Sequence, residues 1–367
     1  MPTLTTASAQ SLHRVAERFL GPQASLDIAP LGAGLINTTY RVDSPQGSFV
    51  LQRVNGAVFP APRCIMANLS RLQRLSAARP ELEVRLPNLV AGPVGEPFYE
   101  DADGSLWRLM EYIYPSRTLS TLENPTQAAE VGSVLGNFHR LSAELNPGDL
   151  SVTLPGLHHT PTYLAALDAA TPATLDDGAI IDALAFIATR RSLAHALEDA
   201  RRDGLTPIRV IHGDPKIDNL LFDPDSDRAL CLIDLDTVQP GLVHHDIGDC
   251  LRSCCNRIGE SADGARRVCF DIDICRDLLR AYADRTRHLF SAAERGLFYT
   301  AIRLVPFELG MRFLTDHLQG DRYFRVRARG ENLRKAQVQF ALVADIERNA
   351  TAIEAIVRDS FGPGPST

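Results

Sequence analysis

Asp214, Asn219 and Asp234 stand at a spacing suited to moving a phosphoryl group. The first two lie in Val210-Ile211-His212-Gly213-Asp214-Pro215-Lys216-Ile217-Asp218-Asn219-Leu220-Leu221-Phe222, the third in Leu232-Ile233-Asp234-Leu235-Asp236-Thr237. Phosphoryl transfer needs a carboxylate beside the acceptor hydroxyl and oxygen ligands that hold a divalent cation on the donor, because its catalysis is mostly positioning and charge neutralisation. Asp214 suits the first task, Asn219 and Asp234 the second. Lys216 can bring positive charge to the group in transit; an exposed, solvated lysine is the alternative.

Elements must bring these side chains together. The apolar run 208–211 reads as a strand that stops at His212-Gly213, where glycine permits a sharp turn. Leu220-Leu221-Phe222 and 229–233 read as the two strands of a hairpin, with Pro224-Asp225-Ser226-Asp227 as its turn. That hairpin is expected to return Asp234 beside Asn219. Asp and Asn are also ordinary turn formers, and the strand-turn-strand context ending in Ile233-Asp234 is what favours chemistry.

The segment 212–219, with Ile233-Asp234-Leu235-Asp236-Thr237-Val238 and Asp246-Ile247-Gly248-Asp249-Cys250-Leu251-Arg252, resembles the aminoglycoside phosphotransferase/choline kinase superfamily. Three further stretches, 30–40, 49–55 and 312–324, are similar to the N-acetylhexosamine 1-kinase group. The likeness runs from about 30 to about 340, and 150–205 adds little to it. It implies a bilobal, protein-kinase-like α+β fold. Residues 1–111 would form a nucleotide-binding lobe around a small antiparallel sheet, and 112–367 a mainly helical catalytic and substrate-binding lobe. It also implies ATP and Mg²⁺ as cofactors and a small hydroxyl compound as acceptor, first among them the anomeric hydroxyl of an N-acetylhexosamine. Choline, homoserine, methylthioribose and aminoglycosides are acceptors on the same scaffold. Asp246 would bond backbone amides of the catalytic loop.

Residues 26–54 alternate short apolar runs with turns, as antiparallel strands do. Gly32-Ala33-Gly34 falls at a tip where backbone amides could approach phosphates, and Asn37 is expected in the left-handed conformation that a third glycine would fill. A strand follows, not a helix, which disfavours a dinucleotide-binding turn. No Gly-Lys-Ser/Thr occurs, so a Walker-type loop is absent. Where a kinase places its phosphate-binding lysine, this chain has Gln52, and the following helix, about 62–79, carries no acidic residue. A neutral pair such as Gln52 with Asn68 is the expected replacement. A nucleotide-binding pseudokinase would also lack the lysine, but Asp214, Asn219 and Asp234 are all present. By resemblance Glu111 and Ile113, in the run that leads to Pro115, form the hinge that meets adenine.

At the acceptor end the resemblance places Arg312 and Tyr323 against substrate. Arg312 could instead pair with Asp316 one helical turn later, and Tyr323 could be core. Asp236 is expected to face the sugar or to partner Arg252.

Composition narrows the field. The chain has 367 residues, 45% hydrophobic and 23% charged, with a formal net charge of -7. An acidic balance argues against a nucleic-acid partner, and no apolar run approaches the roughly 18 residues of a membrane span. Seven cysteines, with no Cys-x-x-Cys, suggest neither a disulfide framework nor a zinc site. His244-His245-Asp246 reads as a solvated loop ahead of a structural aspartate. The first 21 residues lack a secretory pattern and read as an amphipathic helix, so a cytoplasmic protein is expected. The tail 361–367 is expected to be disordered.

Overall fold

The computed structural model describes residues 8–32, 36–93, 95–259 and 268–362. Gly34 and residues 363–367 therefore lie outside the described residues, while Phe361, expected in the disordered tail, is instead the buried last residue of the final helix, because its ring packs into the core.

Helix α1 (Ala9–Leu20) starts on the Ser8 side chain and buries Leu12, Val15, Ala16, Phe19 and Leu20, the apolar stripe of its sequence. It packs on a five-stranded antiparallel sheet of order β1-β2-β3-β5-β4: β1 (Asp27–Pro30), β2 (Thr38–Ser44), β3 (Gly47–Arg53), β4 (Tyr99–Glu100) and β5 (Leu106–Glu111). Between β3 and β4 runs α2 (Pro62–Ala78). Its Asn68 side chain is fully buried and donates to the carbonyls of Ser151 (2.8 Å) and Val238 (2.9 Å). The sheet is thereby tied to the helical part of the chain.

Beyond Pro115 the fold is helical. Asn124 caps α3 (Pro125–Ser142) with Pro125 in its first turn, where the missing N–H costs nothing. Next come α4 (Thr160–Ala170), α5 (Gly178–Ala188) and α6 (Ala196–Arg202). Four short strands follow: β6 (Arg209–Ile211), β7 (Leu220–Phe222), β8 (Ala229–Leu232) and β9 (Gln239–Gly241), paired β6 with β9 and β7 with β8. The last helices are α7 (Val243–Cys254), α8 (Ile272–Thr286), α9 (Ala292–Gly296), α10 (Phe298–Leu318), α11 (Glu331–Arg348) and α12 (Ala350–Phe361).

Helices α3 and α8 cross closely. A Cβ on Gly132 would lie 2.2 Å from the Leu278 carbonyl oxygen, so only glycine fits there. Phe138, Tyr282, Phe298 and Phe361 fill the core beside them, each fully buried, at roughly 1.5–3 kcal/mol per large apolar side chain removed from water. The fold is α+β, a small antiparallel sheet joined to a larger helical body, as expected. His244, His245 and Asp246 depart from expectation: they are buried in the first turns of α7 and are no solvated loop. Cys250, Cys254 and Cys255 are buried in and just after the same helix as free thiols. Among the described residues no helix is long and apolar enough to cross a membrane.

Candidate active site

Strand β6 ends at His212 and Gly213, whose amides both donate to one carboxylate, Asp246 of α7, at 2.7 and 2.8 Å. Burial opposes the charge on Asp246, but bonds from His139 Nε2 (2.9 Å) and these amides outweigh it and hold its pKa below the usual range. His139 in turn contacts the Tyr282 hydroxyl at 2.7 Å. His212 is fully buried and kept neutral by that burial; its Nε2 meets the Ile233 carbonyl at 3.1 Å, and its Nδ1 accepts the Asp214 amide. Gly213 has φ 88°, and a Cβ there would sit 2.8 Å from the Thr237 carbonyl oxygen, so the turn demands glycine.

Asp214 leaves this turn about one-third exposed. Lys216 Nζ lies 2.6 Å from its Oδ2, and the Asn219 amide donates to its backbone carbonyl (2.8 Å) and its Oδ2 (3.1 Å). The Ile233 amide bonds the Asn219 carbonyl at 2.9 Å, so the β7–β8 hairpin does return Asp234 beside Asn219. Asp234 adopts a left-handed conformation (φ 61°), a costly state for a residue with a Cβ and one often stored at functional sites. The residue reaches solvent, yet its carboxyl is surrounded by protein. That desolvation, with the charges of Asp236 and Asp214, pushes its pKa up to about 7.

A crowded carboxyl of that kind suits a cation. Asn219 spends its amide nitrogen on Asp214, which leaves its oxygen for a metal. Among the described residues no three His, Cys, Asp or Glu side chains converge into a cage. Magnesium needs none, since it binds through one or two protein ligands plus phosphates.

The side of the site that faces the five-stranded sheet differs from expectation at three positions. Asn37 is not left-handed: it is buried, accepts the Asn55 amide (3.0 Å) and donates to Asp236 Oδ2 (2.7 Å). Gln52 does not pair with Asn68. It donates to Thr39 Oγ1 (3.0 Å) and accepts from Nε (3.0 Å) and Nη2 (2.6 Å) of Arg108, its cross-strand partner on β5. Asp236 faces neither a sugar nor Arg252. It is 2% exposed and forms an ion pair with Arg108 at 2.5 Å, while Arg252 bonds Asp249 at 2.7 Å. The short helical turn 235–237 carries Asp236 toward Arg108 of the sheet. Gly32 takes the positive φ (67°) of a tip. At the hinge, the Glu111 side chain is held by Arg85 (3.0 Å) and Asn88 (2.9 Å), and the Ile113 carbonyl accepts the Ser116 hydroxyl (2.6 Å).

A second polar cluster is built by α10 and the loop after it. Glu308 is buried between His158 Nδ1 (2.9 Å) and the Thr160 hydroxyl (2.6 Å). Burial opposes the charge on His158, but Glu308, with Asp249 and the Gly213 carbonyl, raises its pKa to about 9; the same pairing takes Glu308 down to about 2 despite its burial. His158 Nε2 lies 3.0 Å from the Gly213 carbonyl oxygen, which couples this pair to the catalytic turn. One turn beyond Glu308, half-buried Arg312 stands over the rings of Tyr163, Phe324 and Tyr323 at 4.9, 5.6 and 5.9 Å. Asp316 does not pair with it: that carboxylate caps the amides of Arg322, Tyr323 and Phe324 at 2.7–2.8 Å and takes the Asn332 amide. Tyr323 is 42% exposed and so is not core.

Arg108, Tyr163, His158 and Glu308 were not singled out from the sequence. An arginine inside an apolar strand, a histidine in an uneventful stretch and a glutamate in a long helix carry no local signal.

A carboxylate at a tight turn, with an amide oxygen and a crowded carboxyl beside it, is an arrangement that phosphoryl transfer can use. Residues 27–281 match the sequence model of the phosphotransferase enzyme family APH, and the chain belongs to that family. Its fold is similar to that of a microcompartment-associated aminopropanol kinase (TM-score 0.65, 16% identity, covering 95% of this chain and 99% of that one). It is also similar to choline kinase from Cryptosporidium parvum Iowa II (TM-score 0.62, 13% identity, 97% and 100% covered). Spectinomycin phosphotransferase, in complex with ADP and spectinomycin, gives a TM-score of 0.59 at 14% identity, with 94% and 99% covered.

Proposed function

We propose that this phosphotransferase is an ATP- and Mg²⁺-dependent small-molecule kinase that phosphorylates the anomeric hydroxyl of an N-acetylhexosamine or a related sugar. The observation that carries the reading is the placement of an accessible carboxylate, Asp214, between Lys216 and Asn219, with Arg312 close enough for their charges to interact.

Asp214 accepts the hydroxyl proton through its carboxylate. Lys216 holds the second oxygen and lends positive charge where the phosphoryl group passes. Asn219 and Asp234 would hold Mg²⁺, which supplies charge neutralisation on the donor phosphates. Asp246 keeps the turn rigid, so that Asp214 meets the acceptor without reorganisation. The Gly32 tip and the hinge at Glu111 and Ile113 frame the nucleotide, with residues 1–111 as its lobe and 112–367 as the catalytic lobe. Asn37 and Gln52 act there indirectly, through Asp236 and Arg108. Arg312 and Tyr323 orient the pyranose.

Phosphorus NMR of the product tests this. An anomeric phosphate couples to the anomeric proton and is acid-labile, and a 6-phosphate is neither. Methyl glycosides should fail as acceptors, and a 6-phosphate product or good turnover of a methyl glycoside overturns the anomeric assignment.

A further inference from the structure

Arg312 has two acidic residues at helical spacing, Glu308 one turn before and Asp316 one turn after, and pairs with neither. Both are committed elsewhere, Glu308 to His158 and Thr160, Asp316 to three loop amides and Asn332. The guanidinium instead occupies a cage of three rings, Tyr163, Phe324 and Tyr323, all within cation–π range. One turn before Arg312, Glu308 is joined through His158 to the carbonyl of Gly213, the neighbour of Asp214, so the cage adjoins the place where an acceptor hydroxyl must lie. Such cages are how proteins seat quaternary and protonated amines. Here the cation in the cage belongs to the protein.

We propose that Arg312 is a built-in charge filter: it fills the seat that an ammonium-bearing acceptor would take, repels such an acceptor, and offers its N–H groups to an oxygen of an acceptor that carries no positive charge. Exposed arginines at 322, 325, 327 and 329, on the loop that supplies two of the rings, extend the positive field around the same mouth. A guanidinium without a carboxylate keeps its fork of donors free for carbonyl or hydroxyl oxygens. The filter rests on the reading of this cleft as the acceptor site, and on no particular sugar.

The test is calorimetric titration of choline and tetramethylammonium chloride into the folded wild-type chain and the R312A, R312M and R312K variants, each checked by thermal melting. Wild type and R312K should show no saturable binding. R312A or R312M, with the cage freed of charge, should gain at least about ten-fold in affinity over wild type. Choline binding to wild type, equal gains in R312K and R312A, or no gain in either neutral variant overturns the filter. Turnover of N-acetylglucosamine and glucosamine is measured alongside: failure of both as substrates sinks the sugar reading and leaves the choline result to decide the filter.

Discussion

Arg108 and Asp236 face each other at 2.5 Å, each 2% exposed, and this ion pair joins β5 of the sheet to the turn that follows Asp234. The Gln52 oxygen accepts from the same guanidinium. Positive charge is thus present beside Gln52 although β3 itself carries no lysine: it comes from the neighbouring strand, at the cross-strand position of Gln52.

Gln52→Lys will therefore not restore a better kinase. An ammonium there would meet the Arg108 guanidinium where an oxygen now accepts at 2.6 Å. Like charges in a buried site cost stability, on the order of 1–3 kcal/mol. A fall in melting temperature with no gain in kcat/KM for ATP is expected; a clear gain in kcat/KM would mean that Gln52 merely stands in for a lost lysine.

Asp214→Asn keeps the shape of the catalytic turn, because Asp246 and not Asp214 holds the amides. Turnover should fall by about 10²–10⁴-fold, the usual cost of a lost general base, with ATP affinity nearly unchanged. Most of the turnover surviving would remove Asp214 from the chemistry.

Asp234 predicts a proton cost for metal binding. With its pKa pushed up to about 7, the carboxyl is largely protonated at pH 6, and a cation must displace that proton. Affinity for Mg·ATP should rise with pH to about 7, level off above it, and fall by about ten-fold per unit below. Calorimetry at pH 6 in buffers of different ionisation enthalpy reads the proton directly. Release unchanged by Asp234→Ala would show that the proton comes from elsewhere.

The His158–Glu308 pair sets a stability window. His158, with a folded pKa of about 9 against an ordinary 6.5, stabilises fully below pH 6.5 and loses that contribution as pH rises through 9. Glu308, at about 2 against 4.5, stabilises above pH 4.5 and loses it as pH falls through 2. Both contributions are complete only between pH 4.5 and 6.5. Glu308→Gln should cost about 3–5 kcal/mol there, as for one partner stripped from a buried pair, and less at pH 9. Melting curves across pH 5 to 9 check it, and a constant difference between wild type and variant across that range would exclude the charged pair.

What the sequence made legible was local. The β7–β8 hairpin and the Gly213 turn are written in residues that act on their neighbours, and both were expected. The partners of Asp236, Gln52 and Asn68 were not, because each reaches across at least fifty residues of chain to a partner that no spacing rule selects. Strand pairing brings Arg108 to Gln52, and only the three-dimensional arrangement brings both to Asp236. Arg312 was flagged by resemblance, but its cage draws Tyr163 from α4, in the part of the chain where the resemblance was silent.

Asp316 and Asn332 hold the loop that carries Tyr323 and Phe324, Asp316 through backbone amides of the loop and Asn332 through Asp316 and the Asp321 carboxylate, so that of the side chains between them only Asp321 takes part in this anchoring. The loop is therefore exchangeable in the way an antibody's hypervariable loop is. Under the acceptor-site reading, the exposed positions of the loop can change while Asp316 keeps its backbone on α10.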